Sequence, residues 1–130
     1  MNEQNSIQHW ISTAEYDIKT AEAMFDTKRF LYVGFMCHLV IEKMLKGYFV
    51  KIHNANPPYT HNLQYLAEKS GIFLELSEEQ LDFFDTLQPL NIRARYPSAK
   101  DELFKLLTED RCKKLIEETK EMMIWIKNKL

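Results

Sequence analysis

Apolar residues recur at Ile7, Ile11, Ala14, Ile18, Ala21 and Phe25, alternately four and three positions apart. That spacing places them along one side of a predicted helix of about six turns. Glu15, Asp17, Lys19 and Lys28 fall on the other side, expected to face water. The run from Phe30 to Ile52 has a different pattern. Val33, Phe35, Cys37, Leu39, Val40, Ile41, Met44, Leu45, Tyr48 and Phe49 point in every direction around a helix, so this second helix belongs at the centre of a bundle or in a subunit interface. Such a helix in a small bundle leaves apolar surface to cover, which predicts a two-fold homodimer.

Prolines and glycines punctuate the rest. The stretch from Asn54 to Asn62 reads as a loop, because the paired Pro57 and Pro58 end a helix, and Thr60 or Asn62 caps a short third helix carrying Leu63, Leu66 and Ala67. Gly71 closes it. Ser77 with Gln80 forms a capping box, and Leu76 with Leu81 a hydrophobic staple, at the start of a fourth helix through Phe84 and Leu87 that is expected to be disturbed near Pro89. A last helix begins near Thr108, where Glu109 and Asp110 suit the positive end of its dipole, and buries Cys112, Leu115, Thr119, Met122, Ile126 and Leu130. Trp125 widens that face. With no period-two alternation and no repeat, the chain reads as a single all-α domain over residues 1–130, an up-and-down bundle of about five helices.

Composition narrows the range of functions. The 130 residues are 45% hydrophobic, enough for one core. Seventeen basic against 19 acidic residues give a net charge of −2, so the chain carries no global basic field, and any contact with nucleic acid needs a local patch. Cys37 and Cys112 sit inside apolar helical patterns without metal-ligand spacing and read as reduced core thiols of a cytoplasmic protein. No stretch resembles a signal peptide or a membrane span.

Three groups of residues can carry chemistry. His38, Glu42 and Lys46 recur every fourth residue on one flank of the apolar second helix. Either they form a structural ladder at the edge of the core, or they floor a polar pocket. A His and a Glu so placed can hold a metal, but no third ligand follows at suitable spacing, and no metal site is expected. His61 stands at a helix start, where it either caps the helix or contacts a ligand. Arg93, Arg95 and Tyr96 precede Pro97, which biases Tyr96 toward extended backbone and should end the helix there. Two neighbouring guanidiniums can fork onto a phosphate and Tyr96 can stack on a base, or one arginine can pair with Glu42 or Asp17 and tie the turn to the bundle.

Taken in order, these features resemble the HEPN family, the higher eukaryote and prokaryote nucleotide-binding helical domain. Trp10 to Ile18 is similar to its opening helix, His38 to Gly47 to its second, and Tyr59–Thr60–His61–Asn62–Leu63 and Arg95–Tyr96–Pro97 complete the series. The resemblance implies a bundle of about five helices, a homodimer, and a minimal nucleotidyltransferase as partner, in the manner of toxin–antitoxin pairs. It also implies a nucleotide or RNA as ligand and no cofactor. Ribonuclease members of the family use an arginine followed four to six residues later by a histidine. Here those places after Arg93 hold Ser98, Ala99 and Lys100, those after Arg95 hold Lys100, Asp101 and Glu102, and no histidine follows His61. Arg29 fails in the same way, with Gly34, Phe35 and Met36 in the required places. The expected role is therefore non-catalytic nucleotide binding, with Arg93, Arg95 and Tyr96 on phosphate and base and His38, Glu42, Lys46 and His61 shaping the pocket. A ribonuclease toxin with an irregular active site and a purely structural interaction module are the alternatives.

Overall fold

The helix caps read from the sequence form as drawn. In the computed structural model, α1 spans Glu3–Asp26, and α2 spans Phe30–His53. The Oδ1 of Asn2 accepts from the amide of Asn5 at 2.9 Å to start α1, and Asn54, in the left-handed region at φ 48°, ends α2. Asn62 accepts from the Tyr65 amide at 2.9 Å to begin α3 (Leu63–Ser70). The capping box closes in both directions before α4 (Glu78–Arg93): Gln80 N–H donates to Ser77 Oγ at 3.1 Å, and Ser77 N–H to Gln80 Oε1 at 2.9 Å. Thr108 caps α6 (Glu109–Lys127). The backbone is described for residues 2–93 and 97–130, and side chains for these residues except 92, 93 and 97–100. Among the described residues there is no strand.

Two elements lie beyond the five expected helices. A single 3₁₀ turn, Ile72–Glu75, follows Gly71, and α5 spans Pro97–Leu106. The latter starts on a proline, which suits a first helical turn because the missing amide hydrogen has no intrahelical partner there. Its sequence is half polar, and among the described residues Leu103, with Leu107 just beyond, is buried in the core. The fourth helix carries Pro89 within it and continues to Arg93, burying Leu90 and Asn91 in its last turn.

The second helix is the axis of the molecule. The helices α1, α3, α4, α5 and α6 all pack on it, and Val33, Cys37, Val40, Ile41, Met44 and Leu45 are fully buried along it. Its all-round apolar surface is thus covered largely within the chain. Gly34 leaves room for side chains packed on α2, since a Cβ there would stand 3.1 Å from the Leu90 Cδ1 and 3.3 Å from the Leu107 Cδ1. Asp17, expected on the water-facing side of α1, is buried instead. It lies against α2, where Lys43 Nζ donates to its Oδ2 at 2.6 Å. Both cysteines are free and buried. Loss of hydration pushes the Cys37 thiol up to about 12 and the Cys112 thiol up to about 11, which keeps both protonated and unreactive. No described helix is long and apolar enough to cross a membrane.

Candidate functional site

The i, i+4 ladder on α2 and the loop before α3 converge on one carboxylate. Glu42 is buried, and its two oxygens are used separately: Oε1 accepts from His61 Nδ1 at 2.8 Å, and Oε2 from Lys46 Nζ at 3.0 Å. Taking a carboxylate out of water is unfavourable by several kcal/mol unless it is paired and hydrogen-bonded, and these two donors meet that condition. The Lys46 ammonium lies 5.6 Å from the centre of the Trp10 ring, a second favourable contact for the cation.

His38 lies at the back of the cluster, fully buried. Its Nε2 is 3.0 Å from the backbone carbonyl of His61, which can only accept, so Nε2 carries the proton. The lone pair of Nδ1 then faces the Asn91 Nδ2 at 3.2 Å, while Glu42 Oε1 is 3.7 Å away, too far for a hydrogen bond. The His61 carbonyl takes a second donor, Gln88 Nε2, at 3.1 Å, and Gln88 Oε1 accepts from the Leu63 amide at 2.7 Å. One loop residue is therefore held by its backbone from α2 and α4 and by its ring from Glu42.

This arrangement fixes the tautomer of His61. With Nδ1–H committed to Glu42, the lone pair is on Nε2, which makes no hydrogen bond among the described residues, and the side chain is 49% exposed. The pair is a half-exposed imidazole oriented by a buried carboxylate, able to accept a hydrogen bond or a proton at Nε2. Asn91 contributes the opposite feature: its Oδ1 is buried without a hydrogen-bond partner.

The structure thus brings His38, Glu42, Lys46 and His61 into a single network. Arg95 and Tyr96, and the side chain of Arg93, lie outside the described residues. Asn91 and Gln88 were missed by the sequence reading. Asn91 falls four residues after Leu87 on the core side of α4, and a polar residue at such a position is the signal that was available. Nothing marks Gln88, because its partners are backbone groups 25 and 27 residues away. Among the described residues no group of three or more His, Cys, Asp or Glu could hold a metal.

Fold and site together define an all-α bundle built on a central helix, with a buried carboxylate and a loop histidine near the end of the fourth helix. The model of the HEPN domain matches residues 7–129, and the chain belongs to that family. Its structure is similar over the full length of both chains to the crystal structure of TT1696 from Thermus thermophilus, with a TM-score of 0.82 at 16% identity. No curated protein matches the sequence.

Proposed function

We propose that this HEPN domain binds a nucleotide or an RNA end without transforming it and works beside a minimal nucleotidyltransferase, which supplies the metal and the transfer chemistry. The observation that supports this most is the bond between Asn91 and His38. It ties the last turn of α4 to the cluster of His38, Glu42, Lys46 and His61, and along the chain Arg93, Arg95 and Tyr96 follow Asn91 within five residues. Guanidiniums are suited to forked contacts with a phosphate, and the neutral or paired groups of the cluster are suited to ribose or base. Under this reading the protein is a homodimer with a nucleotide as ligand, no cofactor and no membrane association.

Titration calorimetry with nucleoside monophosphates tests it. Arg95→Ala should weaken binding by a charge-assisted contact of roughly 1.5 to 3 kcal/mol and leave the melting temperature almost unchanged. A stable parent protein that binds none of the four nucleotides would sink the reading.

The geometry of His61 favours ribonuclease action as the second reading. Glu42 and His61 form an acid/base pair that the family's usual arginine–histidine spacing does not supply in this chain. If that pair cleaves RNA, the purified protein should cut single-stranded RNA in EDTA, and His61→Ala should abolish the cutting. Under the first reading, the parent protein leaves RNA intact.

A further inference from the structure

Tyr59 is the most exposed large hydrophobic residue among those described, at 107% relative exposure. An aromatic ring left in water forgoes the stabilisation that burial provides, and here the surrounding chain keeps it in that position. Pro57 and Pro58 precede it and restrict the backbone, and both are half-buried. Two residues later, the His61 carbonyl is held by His38 and Gln88, and its ring by Glu42. Thr60 Oγ1 accepts from the Asn62 amide at 3.1 Å, and Asn62 in turn caps α3. The ring therefore stands on an anchored support, and the two Cα atoms of Tyr59 and His61 are separated by no more than about 7.6 Å of chain.

From this placement we propose that Tyr59 is a base-stacking residue of the site: a nucleotide lies with its base on the Tyr59 ring and its ribose hydroxyls, which can donate, toward the Nε2 lone pair of His61. The inference rests on the nucleotide-binding reading and adds a subsite to it. A nucleotide joins a flat aromatic base to a ribose whose hydroxyls can donate, and this loop carries an exposed aromatic ring two residues along the chain from a histidine whose Nε2 can accept. Stacking of this kind tolerates any base, because every base has a π face. A protein partner fits less well. Along the chain on either side, Asn54, Asn56, His61 and Asn62 are exposed and polar, and one ring falls far short of the roughly 800 Å² that each side of a stable protein interface contributes. Because the following residues are held by hydrogen bonds, stacking restricts little more than the two side-chain torsions of the tyrosine.

The probes are AMP and ribose 5-phosphate, which share the phosphate and sugar and differ in the base. Titrated into the full-length protein, AMP should bind roughly tenfold more tightly or better than ribose 5-phosphate. Tyr59→Ala should lower AMP affinity to that of ribose 5-phosphate and leave the latter unchanged, while Tyr59→Phe, which keeps the ring, should retain AMP binding. Equal affinity of the parent for both probes overturns the stacking subsite and leaves the phosphate reading in place. AMP binding that survives Tyr59→Ala, or is lost equally in Tyr59→Phe, overturns it too. If neither probe binds, both readings fall.

Discussion

Glu42 shows how a residue can be visible in sequence while its role is not. The four-residue spacing of His38, Glu42 and Lys46 puts them on one flank, and a charged group on an otherwise apolar helix must find partners. Lys46 follows from that spacing, since an i, i+4 contact is local. The other partner of Glu42, His61, is 19 residues away across a proline loop, and the Asn91 bond to His38 spans 53 residues. Spacing along one helix carries no information about either. Replacing the carboxylate tests the network. In Glu42→Gln the Lys46 ammonium keeps its buried position with no opposite charge, and the loss should be about 3 kcal/mol in urea unfolding. His61→Ala should be milder, about 1 kcal/mol, because water can replace the half-exposed imidazole. A Glu42→Gln protein as stable as the parent would mean that the carboxylate is not the electrostatic centre of the cluster.

The helices behaved according to their terminal signals where those signals are chemical. Ser77 with Gln80, Asn62, Thr108 and Gly71 each end or begin a helix by satisfying or releasing backbone groups. Gly71 offers the cleanest test: its φ is +86°, and a Cβ built there meets nothing within 4 Å. Any penalty in Gly71→Ala is therefore conformational, and thermal or urea unfolding should show a loss of about 1 kcal/mol. No change would mean that the turn relaxes out of the left-handed region without loss. Other stretches depend on burial across the molecule. Pro89 does not end α4, because burial of Leu87, Leu90 and Asn91 holds the helix on both sides of it. α5 is half polar, and Leu103 within it and Leu107 just beyond it reach the core.

At the scale of the molecule, the covering of α2 changes the basis for expecting a dimer. On α2 only Tyr32 and Ile52 among the described large hydrophobic residues stay exposed, and further apolar surface lies elsewhere. A groove of about 1050 Å³ between α4, α5 and α6 is floored by Phe83, Leu90, Leu115, Met122 and Trp125. On α5, which borders it, Phe104 and Leu106 are 59% and 44% exposed. A groove beside projecting apolar side chains is self-complementary under a two-fold axis, where each copy places the same residues into the other. Light scattering at tens of micromolar should give twice the 15.5 kDa chain mass, and Phe104→Glu should return it to one chain mass without unfolding. A monomeric parent would contradict the dimer, and a dimeric Phe104→Glu would place the interface on another face.

The sequence by itself determined the helical class, most helix ends, the central position of α2 and the presence of buried polar groups on it. Each of these depends on contacts within a few residues along the chain, so periodicity and capping chemistry suffice. Only the tertiary structure decided that Asp17 turns inward to Lys43, that Gln88 and Asn91 join the cluster, and that His61 is oriented by Glu42 with Nε2 left open. Those outcomes depend on which helices lie side by side, and hydrogen bonds between residues dozens of positions apart form only once the packing of the core has brought their backbones together.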